Sequence, residues 1–119
     1  MNEDIYEKID YCIISGSDYD ISIVIYYLLK NHYRYNEKKK WEYLDNSKLW
    51  LHDINQEMFK RSIRTDVCKM FIDRSIFWIN CGELSNDIMS AKLLSIGSKL
   101  KEKKYISIII KECRDFFII

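Results

Sequence analysis

The stretch "KKKWEYLDNSKLWLHD", Lys38 to Asp53, followed six residues on by "FKRSIR", Phe59 to Arg64, holds the residue types that grip single-stranded nucleic acid. Lysines along a backbone neutralise phosphates, and aromatic faces stack on bases at about 1–3 kcal/mol per base. The candidate track is Lys38, Lys39, Lys40, Lys60, Arg61 and Arg64 for phosphates, with Trp50 as the stacking face. The competing reading is structural: tryptophans of a small sheet pack on helices, and a lysine run in a turn is solvated. Strand alternation puts Trp41 and Tyr43 on one face and Trp50 opposite Leu49 and Leu51, so both tryptophans need not be buried. Charge is segregated as well. Residues 1–29 carry six acids and one lysine, residues 30–64 nine bases and five acids, and residues 92–104 five lysines and one glutamate. A net charge of +1 therefore covers one acidic and one basic side.

Other chemistry finds little footing. A phosphate loop needs glycines that admit backbone amides to the phosphate, and "ISGSDYD", "NCGELSN" and "SIGSKLK" contain neither G-x-x-x-x-G-K-[ST] nor G-x-G-x-x-G. Gly97 falls inside a helical pattern, where it serves close packing. Asp18 and Asp20 cluster at a helix start, where carboxylates cap free amides rather than hold a metal. His52 beside Asp53 pairs a base with an acid, but no nucleophile is fixed near them. Cys12, Cys68, Cys81 and Cys113 form no C-x-x-C pair, and His32 and His52 do not complete a zinc set, so reduced thiols are expected. The sequence thus predicts no catalytic residue, no metal, no cofactor and no ATP hydrolysis: a non-enzyme.

The elements that must position the basic residues follow from periodicity. A chain of 119 residues, 48% hydrophobic and 31% charged, has the composition of one folded domain spanning 1–119. With no proline and three glycines, long helices and short connections are favoured. Ser17 with Asp20 reads as a capping box, and Ile21, Val24, Ile25 and Leu28 recur at helical spacing, predicting a helix over 18–31. From Tyr33 the rhythm becomes two, giving a three-stranded antiparallel meander, or a hairpin with one extra strand, that turns at "DNS". Asp53 with Gln56 caps a second helix running to about Ile79, with Phe59, Ile63, Val67 and Phe71 on one face. Gly82 ends it, Ser85 or Asn86 caps a third helix over 86–102, and a fourth covers 104–117. The fold class expected is α+β, a bundle of about four helices with a small antiparallel sheet of two to three strands. Phe116 and Phe117 are expected either to pack on the helix carrying Phe59 and Ile63 or to lead into a further domain. No secretory signal or membrane span is read, so an intracellular protein is expected.

The order of these pieces resembles a known family. "DISIVIYYLLKNHYRYNEKKKWEYLDNSKLWLHD", then "FKRSIRTDVCKMFI", then "KLLSIGSKLKEKKYISIIIKECRDFF" are similar to the helical segment before the superfamily 3 helicase in poxvirus-type primase-helicases of nucleocytoplasmic large DNA viruses. Related phage and plasmid primases carry a similar segment. Trp41, Trp50, Asp53, Arg61, Arg64, Leu100 and Ile109 to Glu112 occupy its aromatic, acidic, basic and aliphatic places, over about residues 18–117. The resemblance implies a role in viral DNA replication, in the host cytoplasm or a replication factory. The chain would be a non-catalytic DNA-binding and positioning domain beside helicase and primase domains, oligomeric through the parent protein. The alternative it implies is an assembly module contacting neighbouring subunits of a helicase ring. The chain departs from the family in lacking the Walker and primase acidic motifs, so no catalytic residue carries over.

Overall fold

Ser17 opens the best-specified helix. Its hydroxyl accepts from the Asp20 amide at 3.2 Å and donates to the Asp20 carboxylate at 2.9 Å, so box and dipole act together. In the computed structural model, which describes residues 2–82 and 84–119, this helix is α2, Asp18–Leu29, and α1, Asn2–Ser15, precedes it across Gly16. Strands β1 (Tyr33–Tyr35), β2 (Trp41–Leu44) and β3 (Trp50–His52) follow as an open antiparallel sheet in the order β1-β2-β3. A short 3₁₀ turn, Ile54–Gln56, leads into α3, Glu57–Ser62. A π-helical segment, Ile63–Val67, joins α3 to α4, Cys68–Asn80. Then come α5, Leu84–Lys99, α6, Lys103–Cys113, and a last 3₁₀ turn, Arg114–Phe117.

This corrects the expected class. The chain is not an α+β bundle of about four helices; it is a mostly helical fold with five helical runs among the described residues, counting α3, the π segment and α4 as one. The reason lies in what builds the core. Among the described residues, only Tyr33 and Trp41 of the buried apolar side chains come from strands, so the sheet is an appendage to helix packing rather than a second layer. The sequence reading also began at the first cap, Ser17, and missed α1. Its buried stripe of Ile5, Ile9 and Cys12 has helical spacing but is one residue wide among acids.

Other expectations shift by smaller amounts. The third long helix starts at Leu84, ahead of either expected cap: Asn86 is buried within α5, and the Ser85 side chain lies outside the described residues. Gln56 does not cap α3. It takes a left-handed conformation, φ 56°, as does Asn55, and Asp53 alone supplies the cap. Gly97 matches its sequence reading: a Cβ there would stand 3.2 Å from Ile72 Cγ1, and the Cys68 thiol donates to the Gly97 carbonyl at 3.1 Å. Phe117 is buried and meets Phe59 edge-on at 5.3 Å, whereas Phe116 packs on Tyr19 and Tyr26 of α2. Only one phenylalanine reaches the expected neighbour.

Cysteine reactivity follows from this packing. Burial pushes the Cys12 and Cys113 thiols up to about 12, and it raises Cys68, while Cys81 is exposed. The thiolate is the reactive form. Under native conditions, titration with a disulfide reagent should therefore show one fast thiol, lost in Cys81→Ser, and three that react only on unfolding. Rapid modification of more than one thiol in the folded chain would contradict the packing.

Candidate anion-binding cleft

The sheet sorts its residues by alternation. Tyr33 pairs with Tyr43 and Tyr35 with Trp41, so these four share the inner face, and Trp41 stacks on Phe59 at 4.6 Å. The outer face carries Arg34, Glu42 and His52 in one cross-strand row and Leu44 with Trp50 in the next. Arg34 donates to Glu42 at 2.7 Å, and its guanidinium lies 4.3 Å from the Trp50 ring centroid. One face of the half-buried Trp50 is therefore already covered by a cation.

Lys38, Lys39 and Lys40 lie in the β1–β2 turn with exposed side chains. Asn36 organises that turn, its carboxamide oxygen accepting from the Lys38 and Lys40 amides at 2.9 and 3.1 Å, while Lys39 takes φ 60°. Tyr35, at the same end of β1, bridges to Ile118. The turn thus lies beside the C-terminal segment.

Lys60 and Arg64 meet different neighbours. One helical turn apart, they line a cleft of about 450 Å³ whose other wall is Lys101, Lys103, Ile106 and Ser107. Lys60 belongs to α3, Arg64 to the π segment, and Lys103 opens α6, whose dipole adds positive potential there. Glu57 lines the same cleft, and among the described residues none of the four cations is in an ion pair. Arg61 faces elsewhere. It bears on the Tyr33 hydroxyl, whose pKa burial raises and whose nearest partner, Ser62 Oγ, is 2.6 Å away. The structure therefore brings Lys60 and Arg64 together with lysines of the 92–104 basic segment, and places Lys38–Lys40, Arg61 and Trp50 around other neighbours.

No protein-family model matches the chain, and no curated protein matches it. The cleft must be read from its own chemistry.

Lys101 and Lys103 were missed as site residues. The signal available was the surplus of lysine in 92–104; what was lacking was any indication that this segment returns to the α3 side. Two other sequence candidates are occupied. Asp18 accepts from the Tyr105 hydroxyl at 2.7 Å and Asp20 from Ser17, and both sit in the first turn of α2. His52 is exposed while the buried Asp53 carboxylate turns inward, accepting from the Met58 and Phe59 amides at 2.9 Å each. The two do not form an acid–base pair.

Proposed function

We propose that this chain is a non-catalytic nucleic-acid-binding domain that holds the phosphates of single-stranded DNA in the cleft between α3 and α6. The observation carrying the reading is the convergence of Lys60, Arg64, Lys101 and Lys103, from segments far apart in sequence, on one open cleft that among the described residues holds a single carboxylate. Four cations so placed repel one another, and an anion that bridges them relieves that repulsion. A volume of about 450 Å³ takes a nucleotide-sized group. Arg64 can meet a phosphate through two parallel N–H bonds, whereas the lysines act as point charges. In its fuller form the reading has this domain position DNA for the helicase and primase of a viral replication protein, as the sequence resemblance implies. Lys38–Lys40 then extend contact along the strand, and Trp50 offers its second face to a base.

Fluorescence anisotropy with a labelled oligonucleotide at several salt concentrations tests it. Binding should be weak and fall steeply with salt, because counterions are released from the strand. Lys60→Gln with Arg64→Gln should flatten the log–log salt slope by about 1.4, two contacts at about 0.7 each for single strands. Glutamine at Lys38, Lys39 and Lys40 should weaken binding to all sequences alike, since phosphate contacts carry no base information. Trp50→Ala should weaken it at constant slope. An affinity at low salt indifferent to Lys60 and Arg64 would sink the cleft.

A further inference from the structure

A second concave surface, between α1 and α5, takes no part in the basic cleft. One end is lined by Glu7, Asp10, Tyr11 and Met89, the other by Lys92, Ser95 and Lys99, and Ile13 and Ile14 line both. Ile14 is 80% exposed although it stands at the middle of an apolar groove, and Tyr11 is 55% exposed. On α5, Ile88, Lys92, Ser95 and Lys99 recur one turn apart and share the face that borders the groove. An apolar strip of this kind, rimmed by charge, marks an interaction surface.

Its charges are arranged lengthwise. Carboxylates stand at one end and ammonium groups at the other, so the groove is complementary to its own reversed copy. Asp10 is already held by Arg74 at 2.8 Å and by the Trp78 indole N–H at 3.0 Å, which among the described lining residues leaves Glu7 as the carboxylate available to a partner. We propose that a second copy of this chain occupies the groove, forming an isologous dimer. Its two-fold axis lies in the plane of contact and crosses the groove at Ile14. Glu7 then faces Lys99 of the partner subunit, the reciprocal pair forms at the other end, and Ile14 packs on its own counterpart. Like-charge juxtaposition disfavours the opposite, parallel arrangement. The basic cleft lies on other elements, so the dimer stands or falls independently of DNA binding.

Sedimentation velocity of the full chain, from about 1 μM to about 500 μM, tests the proposal. The wild type should pass from monomer to dimer across that range. Ile14→Asp sets two carboxylates against each other across the axis and should raise the dissociation constant by at least about a hundredfold, leaving far-ultraviolet circular dichroism unchanged because the residue is exposed. Glu7→Lys and Lys99→Glu should each weaken association, and the two together in one chain should restore it. A wild type that stays monomeric throughout overturns the proposal and gives the groove to a different occupant. A dimer indifferent to Ile14→Asp, or a charge swap that fails to rescue, overturns it equally.

Discussion

Phe59→Ala should lower the unfolding free energy by about 3–5 kcal/mol, the range for removing a buried phenylalanine. Phe59 is fully buried and is the point where sheet, helix and C-terminal turn meet. Its ring lies 4.9 Å from Tyr33, 4.6 Å from Trp41 and 5.3 Å from Phe117, all as ring centroids. Those three neighbours come from β1, β2 and the last 3₁₀ turn, so alanine opens a cavity that no single element can close by shifting. Three strands of three or four residues have no independent stability. Loss of this anchor should therefore free the sheet before the α4–α5 pair melts. Urea denaturation followed by tryptophan fluorescence and by circular dichroism measures both effects. Phe116→Ala is the internal comparison: Phe116 is only partly buried, against Tyr19 and Tyr26, and its loss should cost distinctly less. Equal costs for the two would mean that the aromatic cluster does not centre on Phe59.

Asp53→Ala should cost about 2 kcal/mol or more, because it removes a helix cap and the acceptors of two amides at the start of α3. The Asp53 side chain is 1% exposed as part of its residue, and both its oxygens are used, one on Met58 and one on Phe59. Its backbone amide also bonds to the Trp41 carbonyl at 2.8 Å, so one residue ties β2 to the start of α3. Asn55 and Gln56, both left-handed without being glycine, are strained positions held by that anchoring. Releasing them should let the first turn of α3 unwind, and Lys60 would lose its register with Arg64. Weaker oligonucleotide binding should accompany the lost stability. Asp53→Asn keeps one acceptor oxygen and should cost less than alanine on both counts. If Asp53→Ala unfolded at the wild-type urea concentration, the cap would not be the element that sets α3.

The sequence by itself determined the local order. Ser17 and Asp20 specified the start of α2 because the box is a contact between residues three apart, and the two-residue rhythm from Tyr33 to Leu51 specified the strands. Phe59, Ile63, Val67 and Phe71 were legible as one buried face, though not the π segment within it, whose hydrogen-bond shift leaves the spacing of apolar residues intact. Gly97 was legible as a close approach. What the tertiary structure alone decided is everything that depends on which distant segments meet. The fold class moved from α+β to mostly helical once the core proved to be drawn from helices, including the acidic first helix that no cap announced. Lys60 and Arg64 were legible as basic, but their partners were not. Lys101 and Lys103 stand about forty residues downstream, and only the return of α6 across α3 sets the four charges on one cleft. Spacing along a chain fixes neighbours within one element, because helix and strand geometry carry it. Between elements, position is set by how buried faces pack, and one-dimensional spacing does not encode that.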